Sequence, residues 1–193
     1  MTDARILTVC TGNICRSPYM ERVLATQLAG RGYTVASAGT RALVDYPIEP
    51  QSLQRLQQLG IDDGGFRSRQ LTPEMIADAD LIITATRHHR AEVVTMEPKG
   101  LKYTFALADL SDLVRDMDIV PPASGGLFGP ADDSFVGRLI DDVGKRRTTI
   151  HPRGEDEADV VDPYRRAPEV FDRMAAQLNE LMPPVVRALT LES

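Results

Sequence analysis

Two residues near the start of the chain have the types and the spacing for joint chemistry. Cys10 ends an apolar run and Arg16 follows after five residues, in Val9-Cys10-Thr11-Gly12-Asn13-Ile14-Cys15-Arg16-Ser17-Pro18. Transfer of a phosphoryl group to sulfur needs a thiolate, and a planar cation that holds two phosphate oxygens at once. Five residues between them can curl their N–H groups around the remaining oxygens. N–H groups, a helix N-terminus and a nearby arginine all favour the thiolate form of a cysteine. Ser17 stands where its hydroxyl can bond the sulfur.

The flanking residues say how this stretch is held. Arg5-Ile6-Leu7-Thr8 reads as a short buried strand, and Met20 to Leu28 reads as a helix. Ser17 suits the N-cap, Pro18 the first turn, and Glu21 the positive end of that helix. The ten residues therefore wrap a strand-to-helix turn, and such a turn binds anions. Strands and helices alternate downstream. Tyr33 to Ala38 is a strand closed by Gly39, and Asp80 to Ala85 and Tyr103 to Phe105 are two more. Helices are expected at about Pro50 to Leu59, Arg87 to Met96, Leu107 to Arg115 and Pro168 to Met182. The last carries an apolar stripe at Val170, Met174, Leu178 and Leu181, with Val185 to Leu189 extending it past a break at Pro183-Pro184. This alternation predicts a three-layer, doubly wound α/β fold: a four-stranded parallel sheet with helices on both faces.

The chain has 193 residues, the size of one domain, and a net charge of −6. That charge argues against nucleic acid and anionic membrane as partners. No apolar run approaches the length of a membrane span, and Met1 to Arg5 is not a signal-peptide start. Two cysteines in one loop make a poor disulfide framework and a good redox pair, so a reducing cytoplasm is expected. Residues 111–158 read as a surface insertion in the single domain 1–193. It holds Pro121-Pro122, Gly125-Gly126 and Gly129-Pro130, with helical spacing only from Ser134 to Val143. It is either a plain loop or a lid or docking segment. Adjacent His88 and His89 diverge on a helix, so no metal site is expected, and the chemistry needs neither metal nor cofactor.

An alkoxide or phenoxide leaves phosphorus poorly at neutral pH, since even a phenol has a pKa of about 10. An acid must stand opposite the thiolate. Asp162 fits. Val160-Val161 anchors it from one side, Pro163 stiffens it from the other, and loops at the carboxyl ends of parallel strands converge on one crevice.

Cys10 to Pro18 resembles the signature loop of the low-molecular-weight protein tyrosine phosphatases, and within them the bacterial type. Weaker matches follow at Ser37-Ala38-Gly39-Thr40, Ala42-Leu43-Val44, Arg69-Gln70-Leu71-Thr72 and Asp162-Pro163-Tyr164. The resemblance implies hydrolysis of protein phosphotyrosine through a cysteinyl-phosphate. Cys10 is the nucleophile, Arg16 the phosphate clamp, and Asp162 the acid and then the base. Thr11, Gly12, Asn13, Ile14, Cys15, Arg16 and Ser17 hold the phosphate. Asn13 supports the loop in a left-handed turn, where Asn and Gly12 are tolerated best. Cys15 either captures an oxidised Cys10 or simply packs. Ile14, Leu43 and Tyr164 wall the entrance, with Tyr46 nearby. The partner is a phosphotyrosine protein; a bacterial tyrosine kinase, a host protein and a metabolite all stay open.

One departure stands out. A histidine that often precedes the Arg-Gln pair is replaced by Gly65-Phe66-Arg67-Ser68, so Ser37 or Ser68 must support the loop. Glu155, Asp156, Glu157 and Asp159 crowd the approach to Asp162 and favour basic substrates. Three alternatives remain. A protein arginine phosphatase has Thr in place of Ile14. A relay arsenate reductase needs a further Cys that the chain lacks. A phosphate-binding regulatory module would lack useful turnover.

Overall fold

Successive residues of a strand face opposite ways, and β1 (Ala4–Cys10) is apolar on both sides. Ile6 and Cys10 join a large core cluster with Leu81, Ile83 and Phe105; Leu7 and Val9 join a smaller one with Ile82. A sheet of this kind must be covered on both faces. The computed structural model describes residues 3–117, 134–147 and 153–190, and shows that arrangement. The sheet order is β2 (Tyr33–Gly39), β1, β3 (Leu81–Thr84), β4 (Thr104–Ala106), with every pairing parallel. Helices α1 (Arg16–Gln27), α2 (Pro50–Gln58), α5 (Leu107–Arg115) and α8 (Pro168–Thr190) cover the larger core through Tyr19, Leu56, Leu110 and Leu178. Helices α3 (Pro73–Ala77) and α4 (Arg87–Met96) cover the smaller one through Ile76 and Val93. The expected three-layer fold is therefore present.

The chain leaves β1 toward β2 on one side and later returns to β3 on the other. This makes the carboxyl ends of β1 and β3 a topological switch point, where open α/β sheets bind ligands. The residues after both strands meet there.

Three local expectations are corrected. Helix α1 starts at Arg16, its cap is Cys15 without a side-chain cap bond, and Ser17 lies inside the first turn. Glu21 is buried rather than displayed at the positive end. Pro183 and Pro184 do not break the last helix, which runs on to Thr190. A proline inside a helix costs about 3 kcal/mol. Burial of Val185 and Leu189 beyond the pair contributes about 1.5–3 kcal/mol each, and Ala188 is buried with them, which offsets that cost.

In the region read as a surface insertion, α6 (Phe135–Arg146) places Val136, Leu139 and Val143 in the larger core. A short α7 (Glu155–Ala158) precedes Asp159. Pro121-Pro122, Gly125-Gly126, Gly129-Pro130 and His151 lie outside the described residues. No helix among the described residues is long and apolar enough to cross a membrane.

Gly39 ends β2 against the loop that follows β1. A Cβ there would lie 2.4 Å from the carbonyl oxygen of Thr11 and 3.0 Å from the backbone N of Asn13. Backbone cannot yield as a side chain does. Gly39→Ala should therefore lower stability by about 1–3 kcal/mol in urea unfolding. An unchanged midpoint would mean that the loop is free to move aside.

Candidate active site

The loop from Cys10 to Ser17 is shaped by its own carbonyl groups. Those of Cys10, Thr11, Gly12 and Ile14 accept hydrogen bonds from the N–H groups of Thr40, Arg41, Leu43 and Glu49 at 2.8–3.0 Å. A trans peptide points its N–H opposite to its C=O. The N–H groups of Thr11, Gly12, Asn13 and Cys15 therefore face away from the 40–49 segment, as an anion cradle requires. One residue turns the chain: Asn13 has φ of 54°, in the left-handed region. Gly12, expected to share that conformation, does not.

Asn13 does not offer its side chain to a ligand. Its Nδ2 donates to Ser17 Oγ at 2.9 Å and to Ser37 Oγ at 2.8 Å, and its Oδ1 accepts from Arg69 N at 2.8 Å. Ser37 in turn donates to the carboxylate of Glu21. Burial pushes the Glu21 carboxyl up, against the pull of Ser37 and Arg69. Asn13, Ser37, Glu21 and Arg69 thus form one network behind the loop, and Ser37, one of the two serines expected to support it, is part of it. Ser68 serves a different stretch: its hydroxyl donates to the Leu43 carbonyl and accepts from Tyr46 N.

Cys10 Sγ lies 2.9 Å from Ser17 Oγ. That oxygen already accepts from Asn13, and its proton has two acceptors within reach, the sulfur and, at 3.5 Å, the Ala38 carbonyl. Cys15 is also a free, buried thiol. Burial first, and then the charge of Cys10, push it far up, so at neutral pH it is a thiol.

Arg16 is buried, with its charge turned inward. Nη2 pairs with Asp162 Oδ2 at 2.8 Å and Nη1 donates to the Val160 carbonyl at 3.3 Å. Nε is buried without a partner among the described residues. An unmet donor on a buried cation costs stability unless something fills it. Asp162 is placed by its neighbours, as expected. Val160 N donates to the Ala85 carbonyl at 3.0 Å, and Val161 N to Gln177 at 2.9 Å. The Asp162 carboxylate also accepts from Tyr164 N at 3.2 Å, closing the turn through Pro163.

A cavity of about 140 Å³ brings these residues together: Cys10, Arg16 and Asp162 line it with Thr11, Gly12, Ile14, Cys15, Leu43 and Tyr164. Asn13 and Ser17 stand behind the loop. Tyr46 does not line the cavity; its ring is exposed, and its backbone bonds to Ser68. Two lining or contacting residues were missed. Arg41 is at the rim, paired with Glu92 at 2.7 Å. His89 is buried and reaches Thr11 Oγ1 from Nε2 at 2.8 Å, across 78 residues of sequence. Its Nδ1 is 2.7 Å from Thr86 Oγ1, which also accepts the His89 N–H. One proton assignment satisfies all three bonds and places the Thr86 proton: Thr86 donates to Nδ1, and Nε2–H donates to Thr11. Only the Thr86 cap was readable in sequence. Asp159 accepts from Arg87 N at 2.9 Å, and the side chains of Glu155 and Asp156 lie outside the described ones.

Comparison with known proteins identifies the family. The family model described as low molecular weight phosphotyrosine protein phosphatase matches residues 5–129. The probable low molecular weight protein-tyrosine-phosphatase EpsP of Ralstonia nicotianae is 35% identical over 117 residues, covering 61% of this chain and 77% of that one. Among solved structures, the tyrosine phosphatase AmsI of Erwinia amylovora superposes with a TM-score of 0.68 at 23% identity, covering 98% of this chain and 95% of that one. The YwlE arginine phosphatase of Geobacillus stearothermophilus gives 0.69 at 24%, covering 98% and 94%. At such identities the two structures speak to the fold.

Burial, and then the nearby charge of Arg16, lower His89 from 6.5 to about 4. The unfolded chain thus takes up a proton near pH 6.5 that the folded chain refuses until about pH 4. Stability from this residue is whole above pH 6.5 and falls as pH drops toward 4, by on the order of 3 kcal/mol. Urea unfolding of parent and His89→Gln at pH 7 and pH 4.5 should show that extra loss in the parent alone. Parallel losses in both would remove His89 as the cause.

Proposed function

The chain belongs to the low molecular weight phosphotyrosine protein phosphatase family, and we propose that it hydrolyses phosphotyrosine in proteins through a cysteinyl-phosphate. The observation that carries this reading is the meeting of three residues in one cavity: Cys10, Arg16 and Asp162. We read residues 1–193 as one catalytic domain working in a reducing cytoplasm, which suits two free cysteines.

In the first step the Cys10 thiolate attacks phosphorus. The S–P bond forms, the P–O bond to the phenol breaks, and Asp162 gives its proton to the leaving oxygen. Arg16 and the inward N–H groups hold the equatorial oxygens, where negative charge concentrates. A phosphate that takes the Arg16 fork competes with Asp162 for that cation. The carboxyl is then free to face the leaving oxygen. In the second step water attacks phosphorus, Asp162 takes the water proton, and the S–P bond breaks to return thiolate and inorganic phosphate. Cys15, held as a thiol, does not compete as nucleophile.

Asp162→Ala tests the acid. Turnover should fall by about 10²–10⁴-fold with aryl phosphates whose leaving group is basic. With p-nitrophenyl phosphate, whose leaving group needs little protonation, the loss should be much smaller. Equal losses across leaving groups would make Asp162 a structural residue.

The wall of the cavity decides which phosphorylated residue enters. Ile14, Leu43 and Tyr164 present apolar surface there. A tyrosine ring packs against it at no polar cost, whereas the N–H groups of phosphoarginine would be left unpaired. Ile14→Thr adds a hydroxyl at this wall and should shift kcat/KM, on matched peptides, toward phosphoarginine. A parent enzyme that already prefers phosphoarginine would overturn the reading of Ile14.

A further inference from the structure

We propose that a second cleft, between the start of α4, the end of β4 and the end of α6, is an oxyanion site for a phosphate group. It has a volume of about 310 Å³ and is lined by Arg87, Arg90, Phe105, Asp109, Leu113 and Arg147. The charges in it do not balance. Arg87 is matched, since its Nε and Nη2 donate to the two oxygens of Asp109 at 3.0 and 2.6 Å. Arg90 and Arg147 are not: among the described residues neither has a carboxylate partner. Instead both turn to one acceptor, the carbonyl of Thr104, with Arg90 Nε at 2.9 Å and Arg147 Nη2 at 3.3 Å.

Two guanidinium groups drawn to a single carbonyl repel each other. Burial, and then the charge of Arg90, push Arg147 down from its usual value. Arg147 is nevertheless held in place, with its guanidinium 4.3 Å from the centre of the Phe105 ring. Each guanidinium has five N–H donors, and Thr104 satisfies one from each. The walls contributed by Phe105 and Leu113 offer no acceptor.

A carboxylate, with one charge and two oxygens, would match one of these arginines. A phosphate monoester carries about −1.5 to −2 charge and three acceptor oxygens, which matches both. The cleft is built on the end of β4 and the start of α4, and β4 is two strands from β1 in the sheet. Two strand spacings are about 10 Å, the span of about three extended residues. Such a group could come from two sources: inorganic phosphate released by turnover, or a second phosphorylated side chain of a substrate.

The test has two arms. In the first, inorganic phosphate is titrated into the full chain while NMR follows the Nε–Hε signals of Arg90 and Arg147 and the amides of Gly12 and Ser17. The arginine signals should shift and saturate with their own dissociation constant, distinct from that of the loop. In the double variant Arg90→Gln/Arg147→Gln the loop amides should still respond. In the second arm a doubly phosphorylated peptide, with its phosphates three residues apart, is compared with its singly phosphorylated partner. The parent should favour the former in kcat/KM by about tenfold and the double variant should not, since charge-assisted bonds to an anion are lost. Arg90→Lys/Arg147→Lys, which keeps the charge without the forks, guards against a folding effect and should retain part of the preference. A response in the first arm alone identifies free phosphate as the source; one in the second alone identifies the substrate chain. Still arginine signals together with equal turnover of the two peptides would overturn the site. The first arm reads binding without turnover, so it stands apart from the proposed activity.

Discussion

The site depends on which way the peptide planes of residues 10–15 face. Four carbonyl groups are turned outward and bonded to the 40–49 segment, and that leaves the N–H groups for an anion. A left-handed residue reverses the chain, and for a residue with a Cβ this conformation costs about 1–2 kcal/mol. Asn13 holds it because both ends of its amide are bonded, to Ser17, Ser37 and Arg69. Gly39 admits the strand end to within reach of Thr11. None of these contacts touches a substrate, yet each one sets the geometry of the cradle.

Electrostatics divides the work among the groups the loop brings together. Arg16 is the one buried cation of the loop, and the groups around it are set against it. Asp162 balances it by an ion pair that remains half in solvent, so a phosphate can replace the carboxylate without stranding a buried charge. His89 touches the same loop as a neutral ring, since burial, and then the charge of Arg16, disfavour a second cation there. Cys15 remains a thiol beside Cys10, held so first by its burial. The outcome is one sulfur, one cation and one carboxylate in a cavity that Ile14, Leu43 and Tyr164 also line.

The Cys10-to-Arg16 stretch was legible because its instructions are local. The spacing of nucleophile and cation, the apolar strand before them and the helix after them all lie within some twenty residues. The sheet was legible for a similar reason, since strands buried on both faces read as unbroken apolar runs. The place of Asp162 at the cavity was legible because Val160-Val161 offers an anchor. The tertiary structure decided what depends on contacts between distant residues. Packing carries α8 through Pro183-Pro184, because residues on both sides of the pair are buried. It brings His89 to Thr11 and Arg41 to the rim, and leaves Tyr46 outside the cavity. It also places Arg90 and Arg147 on one carbonyl. Local pattern records propensity and periodicity, whereas a hydrogen bond between residues 78 apart follows from how the layers pack, and no stretch of the chain holds it alone.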